Sequence, residues 1–152
     1  MKFHTFGEST NPKMLLIHGV LCPWQIWDEA VEHYSDKYFV IVPELDGHTQ
    51  EAPSEFISIQ KEAAQIEEWL NVENITELEV LCGLSMGGGV AATLWENRRV
   101  KIKNLVLDGA PLTKAGRLTT RFITGFYSGI DSLKDSPIPD NSDIQWCKNL
   151  CL

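Results

Sequence analysis

The chain has 152 residues, enough for one domain with its own core, and 43% of them are hydrophobic, as is typical of globular proteins. With 13 basic and 21 acidic residues its net charge is -8, which disfavours contact with a phosphate backbone, so we expect no nucleic-acid partner. No apolar run approaches the length of a membrane span and no signal peptide is evident, so we expect a cytoplasmic protein with no membrane partner.

Short apolar runs alternate along the chain with longer segments of helical period. The runs predicted as β-strands are Lys2–Phe6, Lys13–Ile17, Tyr38–Val42, Leu78–Cys82 and Asn104–Asp108. The segments predicted as helices are Trp24–Tyr34 after Pro23, a stripe of Ile59, Ala63, Ile66 and Leu70 capped by Ser58, and Val90–Trp95. This alternation predicts an α/β fold with a doubly wound, mostly parallel sheet of about five strands and helices on both faces.

The most informative motif is Gly83-Leu84-Ser85-Met86-Gly87-Gly88, which lies between a predicted strand and a predicted helix. The pattern G-x-S-x-G in that context is typical of a nucleophile elbow, a sharp turn that exposes a serine hydroxyl at the edge of an α/β sheet. Glycine suits the neighbouring positions, because the turn needs unusual dihedral angles and the strand packs closely on the helix. We therefore predict that Ser85 is a catalytic nucleophile.

A second motif, His18-Gly19, ends the predicted strand Lys13–Ile17 and leads into a loop. A loop at this place can donate a backbone N–H to the oxyanion that forms when a serine attacks a carbonyl carbon. The residue just after the nucleophile commonly supplies the other donor. We therefore predict an oxyanion site built from the backbone of Met86 and of either Val20 or Leu21.

Taken together, the spaced motifs resemble those of the α/β-hydrolase family. They are His18-Gly19 after a strand, Pro43-Glu44-Leu45-Asp46-Gly47-His48 after another, and the serine motif after a third, and the likeness covers about the first 110 residues. The resemblance implies a Ser-His-acid triad and chemistry on esters, amides or related acyl groups. It places the catalytic acid and the catalytic histidine after two further strands beyond the one that ends at Asp108.

The sequence departs from that family pattern after Asp108, because no histidine follows Ser85. We expect residues 1–111 to form the N-terminal core of an α/β-hydrolase fold, residues 112–127 to begin a cap-like helical segment, and residues 128–152 to be a loop-like or disordered tail. On this interpretation the chain is a truncated member of the family. The Asp108 strand then has an open edge, and we expect a homodimer that covers it, a local rearrangement of residues 112–152 over it, or poor solubility.

Two residues of the present sequence are further candidates for the triad. His48 follows the Asp46-Gly47 turn at the carboxyl end of a strand, the edge of an open α/β sheet where ligands bind, so it is a candidate general base. Asp108 ends the strand beside the serine strand and is a candidate acid. The alternatives are a histidine that braces its own turn and an aspartate that stabilises the turn at Gly109.

Neither a metal nor a cofactor is expected. The four cysteines lack the paired spacing of metal sites, and the chain has no dinucleotide fingerprint and no phosphate-binding loop. Two functional hypotheses follow. The first is a serine hydrolase that cleaves a small-molecule carboxylic ester through an acyl-enzyme on Ser85. The alternative is a catalytically inactive fragment or pseudo-enzyme that keeps the pocket and acts as a binding module.

Overall fold

The structure is a computed structural model that describes residues 1–49 and 54–112. The chain divides into two compact units, Met1–Pro111 and Leu112–Leu152, and every element given below belongs to the first. The predicted cap-like segment 112–127 and the predicted tail 128–152 lie outside the described residues, Leu112 excepted.

The predicted strands form a single five-stranded sheet. The strands are β1 (Lys2–Phe6), β2 (Lys13–Ile17), β3 (Phe39–Glu44), β4 (Glu77–Leu84) and β5 (Lys101–Asp108). Their order across the sheet is β1-β3-β2-β4-β5, with β1 antiparallel to β3 and every other neighbouring pair parallel. The prediction of a mostly parallel sheet is therefore confirmed.

The helices also lie where the sequence predicts them, with one difference. A 3-10 helix, Trp24–Trp27, leads into α1 (Asp28–Tyr34), and α2 (Ile59–Val72) and α3 (Met86–Asn97) follow. The predicted helix Trp24–Tyr34 is thus divided, because Trp27 has φ -91° and ψ 3° and so leaves the α-helical region. Ser58 caps α2 as predicted, since its side chain accepts a hydrogen bond from the Lys61 N–H at 3.1 Å.

Helices cover both faces of the sheet, and each face has its own apolar core. Leu15 and Ile17 of β2 point into the core beneath α2 and α3, where Ile66 and Leu94 are fully buried. The alternate residues of β2 and β3 face Trp24, Trp27, Ala30 and Val31 on the other side. Because successive strand residues point to opposite faces, a strand covered on both sides needs a continuous apolar run.

β5 is more exposed than the central strands. Among the described residues it borders only β4, and its side chains are half-buried or exposed throughout. Val106 is the clearest case, with 47% of its surface exposed. Nearer its start, Lys101 and Lys103 reach across to Glu77 at 2.7 and 2.8 Å. Within the described part of the chain, no helix is both long enough and apolar enough to cross a bilayer.

Candidate active site

Ser85 forms the sharp turn that joins β4 to α3. β4 ends at Leu84 and α3 begins at Met86, so a single residue makes the connection. Its φ is 50° and its ψ is -115°, a combination that L-residues avoid because adopting it costs about 1–3 kcal/mol. Hydrogen bonds hold this conformation: the Ser85 N–H donates to the Asp108 carbonyl at 2.7 Å, and the Ser85 carbonyl accepts from the Gly88 N–H at 2.9 Å. This is the strand-turn-helix junction that the motif predicts.

The glycines of the motif are required by close backbone approaches. A Cβ on Gly83 would lie 2.4 Å from the Gly87 carbonyl oxygen. A Cβ on Gly87 would lie 2.4 Å from the carbonyl oxygens of both Ile17 and His18. Real Cβ atoms do not tolerate such distances, and backbone cannot move aside cheaply. Because Gly83 lacks a side chain, the start of α3 can pack against the end of β4, and because Gly87 lacks one, it can pack against the end of β2.

The strain at Ser85 leads to a prediction about stability. We expect Ser85→Gly to have a free energy of unfolding about 1 kcal/mol higher than Ser85→Ala, because glycine adopts positive φ without strain and both variants lack the hydroxyl. Urea denaturation of the two variants measures the difference. Ser35 is the matched control: with φ -63° and ψ -21° it should show the opposite order, alanine above glycine. Equal stability of the two Ser85 variants would contradict the strain.

The loop of residues 19–22, here called the oxyanion loop, lies directly against Ser85. A Cβ built on Gly19 would be 3.3 Å from the Ser85 Cβ. The loop is a turn closed by the Cys22 N–H, which donates to the Gly19 carbonyl at 3.4 Å. Within it, the Leu21 N–H already donates to His48 Nε2 at 3.1 Å. The described residues provide no such acceptor for the Val20 N–H. Of the two N–H groups predicted as alternative oxyanion donors, that of Leu21 is therefore already hydrogen-bonded and that of Val20 is not.

Met86 begins α3, so its N–H belongs to the first helical turn and has no acceptor within the helix. The partial positive charge of a helix N-terminus also favours an anion at this place. Met86 is half-buried beside Ser85. The structure therefore places Ser85, the N-terminus of α3 and the loop of residues 19–22 next to one another.

His18 is fully buried and neutral. Its Nδ1 lies 2.9 Å from the Gly19 carbonyl oxygen, to which it donates, and its Nε2 accepts from the Leu45 N–H at 3.1 Å. Burial lowers the pKa of His18 to about 4. This side chain therefore connects the loop after β2 to the loop after β3 and has no ring nitrogen left for proton transfer.

His48 has the same bonding pattern. Its Nδ1 lies 3.1 Å from the Asp46 carbonyl oxygen, and its Nε2 accepts from the Leu21 N–H. Burial lowers the pKa of His48, so the ring is neutral with its proton on Nδ1. The candidate general base therefore contacts the oxyanion loop, and in this arrangement neither nitrogen is available to the Ser85 hydroxyl.

The remaining candidates also lack the contacts of a triad. Asp108 is exposed, and none of the hydrogen bonds or ion pairs of the described histidines involves its side chain. His4 bonds Glu44 at 3.1 Å and stacks on Trp24 with the ring centroids 3.8 Å apart. His33 is exposed on α1. All four histidines of the sequence are described, and in this structure none donates to or accepts from Ser85.

A buried acidic cluster between the loop after β3 and α2 has no counterpart in the sequence-based prediction. Glu62 is fully buried, and its Oε2 accepts from the Asp46 N–H at 3.1 Å. Burial raises the pKa of Glu62 to about 7. Although burial opposes it, hydrogen bonds from the chain amino group and Gln65 lower the pKa of Asp46. In the sequence, this burial is indicated only by the position of Glu62, which follows Ile59 by three residues and so lies on the apolar face of α2.

Within the described residues, neither thiolate chemistry at Cys82 nor a metal site is indicated. Burial, reinforced by the charge of Asp108, raises the pKa of Cys82 to about 11, so this thiol is not ionised near neutral pH. Within residues 1–49 and 54–112, no group of three or more His, Cys, Asp or Glu side chains is arranged to hold a metal ion.

Comparison with known proteins agrees with this geometry. The sequence profile of the alpha/beta hydrolase fold family matches residues 12–143, most of the chain. The chain belongs to the alpha/beta hydrolase fold family. The predicted partial α/β-hydrolase fold is thereby confirmed.

Individual relatives of this alpha/beta hydrolase chain are longer than it is. It is 25% identical over 92 residues to 3-oxoadipate enol-lactonase 2 of Acinetobacter baylyi, covering 58% of this chain and 33% of that one. Its fold is similar to an alpha/beta hydrolase family protein from Desulfitobacterium hafniense, with TM-score 0.80, 26% identity, and coverage of 99% of this chain and 65% of that one. An esterase from Thermogutta terrifontis has TM-score 0.75, 22% identity, and coverage of 90% and 49%. The chain thus spans between a third and two thirds of these relatives.

Proposed function

We propose that this chain carries the nucleophile and the oxyanion site of a serine hydrolase that cleaves small-molecule carboxylic esters. The observation that carries the proposal is the strained Ser85, with φ 50°, placed between the N-terminus of α3 and the oxyanion loop. Strained dihedral angles persist where the surrounding structure requires them, as at the nucleophile of a hydrolase.

In the proposed reaction the Ser85 Oγ attacks the acyl carbon and its proton passes to a base. The carbonyl electron pair moves to the oxygen, and the resulting oxyanion accepts hydrogen bonds from the Val20 and Met86 N–H groups. Val20 is assigned over Leu21 because the Leu21 N–H is already bonded to His48. When the tetrahedral intermediate collapses, the alcohol leaves with a proton and the acyl-enzyme remains on Ser85. Attack by water then releases the acid.

The base and the acid of this reaction are proposed to come from polypeptide beyond the present sequence. His18 and His48 use both ring nitrogens for backbone contacts, and no histidine follows Ser85. The longer relatives are consistent with this. One of them is an enol-lactonase by name and another is an esterase, and both names refer to the ester class of substrate.

The proposal is tested by acylation with an activated ester. With p-nitrophenyl acetate, mass mapping should find Ser85 as the acetylated serine and no acetylated serine in Ser85→Ala. Without a base the reaction is slow, but an oxyanion site with binding alone retains an enhancement of about 10³-fold over the uncatalysed rate. The same chain unfolded in urea is the control, and its serines should react equally. Acetylation spread over several serines of the folded protein would contradict the proposal.

A second candidate function is a binding module without turnover. The bonding of both His18 and His48 to backbone groups favours it, because it leaves Ser85 without a general base among the described residues. Such a chain keeps the pocket and binds esters or their carboxylate products. A folded protein whose Ser85 reacts no faster than its other serines, while a carboxylate shifts the Met86 amide resonance, would support this function over the first.

We further propose that the outer edge of β5, which no other described strand borders, pairs with the same edge of a second copy. A strand edge without a partner and with an exposed apolar side chain such as Val106 favours association. Sedimentation velocity should show a dimer, and Val106→Lys should shift it to the monomer. Val72→Lys is the matched control, because Val72 is 68% exposed on α2, away from that edge. A wild-type chain that stays monomeric at all concentrations would contradict the proposal.

A further inference from the structure

His48 joins two loops at the carboxyl edge of the sheet. Its Nε2 accepts from the Leu21 N–H at 3.1 Å in the oxyanion loop, and its Nδ1 donates to the Asp46 carbonyl, 3.1 Å away, in the loop after β3. The Asp46 N–H in turn donates to the buried Glu62 carboxyl on α2. The oxyanion loop is therefore connected through one imidazole ring to a helix in the core.

Leu21 needs such a connection because its backbone is strained. Its φ is 60°, and it is the third residue of the turn that Cys22 closes onto Gly19. That position with positive φ normally carries glycine, because other L-residues are destabilised there. Packing does little to hold the side chain, which is 55% exposed. Among the described contacts, the hydrogen bond to His48 is the polar contact that holds the Leu21 amide.

We propose that His48 is a positioning residue of the oxyanion site: by holding the Leu21 N–H it fixes the oxyanion loop with the Val20 N–H free for the substrate oxygen. The inference rests on the proposed function in assigning Val20 as an oxyanion donor. It assigns no proton transfer to His48. A donor that is fixed before the reaction is worth more to the transition state than one that must be ordered during it.

The same bond makes the loop sensitive to the charge of His48. A protonated ring would present an Nε2–H donor to the Leu21 N–H donor, and the contact would be lost. Burial lowers the pKa of His48 and is opposed by the Asp46 carbonyl and the Glu44 charge. The groups that face the ring are Glu44, Lys2 and His4 around a cavity of about 280 Å³, and the His18 ring with its centroid 5.1 Å away.

Two variants separate the two bonds of His48. In His48→Gln the side-chain carbonyl replaces Nε2 as an acceptor for the Leu21 N–H. In His48→Asn the amide replaces Nδ1 as a donor to the Asp46 carbonyl, but it is too short to reach Leu21. The proposal predicts that glutamine preserves the function of the loop and that asparagine does not. His33→Asn, an exposed position on α1, is the control for loss of a histidine as such.

The experiment combines amide hydrogen exchange and NMR relaxation with fluorophosphonate labelling of Ser85. We expect the Leu21 amide to exchange at least about tenfold faster in His48→Asn than in wild type or His48→Gln. The Val20 order parameter should fall in the same variant, and Ser85 labelling should slow about tenfold, part of the loss that removal of a whole oxyanion donor causes. As pH falls through the His48 pKa, the ratio of Leu21 exchange in wild type to that in His48→Gln should rise.

The outcomes separate this inference from the proposed function. Leu21 exchange that is unchanged in a folded His48→Asn protein overturns the inference, and so does faster exchange with an unchanged labelling rate. If wild-type Ser85 is not labelled even with added imidazole as an external base, the proposed function fails. The inference is then decided by the Val20 order parameter: a value lower in His48→Asn than in His48→Gln supports it, and equal values overturn it.

Discussion

Gly87→Ala should lower the free energy of unfolding by about 3 kcal/mol or more, the largest effect we expect from one added methyl group. The new Cβ would lie 2.4 Å from two backbone carbonyl oxygens at the end of β2, and neither β2 nor α3 can move without opening the core. Gly83→Ala should behave similarly, because its Cβ would meet the Gly87 carbonyl oxygen at 2.4 Å. Urea denaturation followed by circular dichroism measures both variants.

Gly89→Ala is the matched control for these substitutions. It lies in the same helix, but its Cβ would meet only the flexible end of the Ile59 side chain, at 3.0 Å. Alanine is about 1 kcal/mol better than glycine inside a helix, so this variant should be close to wild type in stability. If Gly87→Ala were as stable as Gly89→Ala, the close packing of α3 on β2 would be contradicted.

The second large effect concerns pH: Glu62→Gln should make the protein sensitive to mild acid. The reason is that two buried groups have opposite pH dependences. Burial lowers the pKa of His18 from 6.5 to about 4, so the unfolded chain binds more protons between those values. The contribution of His18 to stability is complete above pH 6.5 and is lost as the pH falls towards 4, a change of about 3 kcal/mol.

Glu62 acts in the opposite direction. Burial raises its pKa from 4.5 to about 7, so the folded chain binds more protons in that window. Its contribution is complete below pH 4.5 and is lost as the pH rises to 7, again about 3 kcal/mol. In wild type the pH dependences of the free energy of unfolding that come from His18 and Glu62 nearly cancel between pH 4.5 and 6.5. Burial also lowers the pKa of His48, so His48 acts in the same direction as His18.

Glu62→Gln removes the pH dependence that comes from the Glu62 carboxyl but keeps an acceptor for the Asp46 N–H. We expect its free energy of unfolding to fall by about 3 kcal/mol between pH 6.5 and 4, while wild type changes much less over the same range. Urea denaturation at a series of pH values measures both curves. Glu68→Gln, an exposed position on the same helix, should follow the wild-type curve. If the Glu62→Gln curve ran parallel to the wild-type curve, the opposite pH dependences assigned to His18 and Glu62 would be contradicted.

Much of the fold could be predicted because its signals are local. The apolar runs that become β2 and β3 are continuous because both faces are covered, and Ser58 caps α2 through a bond to a residue three positions away. The elbow was equally readable, because the G-x-S-x-G pattern around Ser85 is local in sequence, although the close approach that excludes a side chain at Gly87 comes from the distant Ile17 and His18.

The contacts of the histidines could not be predicted, because they join loops that are far apart in sequence. Leu21 and His48 are 27 positions apart, and only the fold shows that the imidazole accepts the hydrogen bond of the Leu21 N–H, while the described residues provide no acceptor for the Val20 N–H. The strain at Leu21 gives no sequence signal either, since leucine is not a residue expected at positive φ. Glu62 reads as a polar residue of a helix until the packing of α2 shows it fully buried.

We propose that Ser85 is a nucleophile held in an oxyanion site that lacks only its base. Fluorophosphonate labelling of the folded chain with peptide mapping, with and without added imidazole as an external base, is the decisive measurement. We expect label at Ser85 alone, a rate that rises with imidazole, and no label in Ser85→Ala. A well-folded chain whose Ser85 stays unlabelled at high imidazole would contradict it and leave the inactive binding module as the better description.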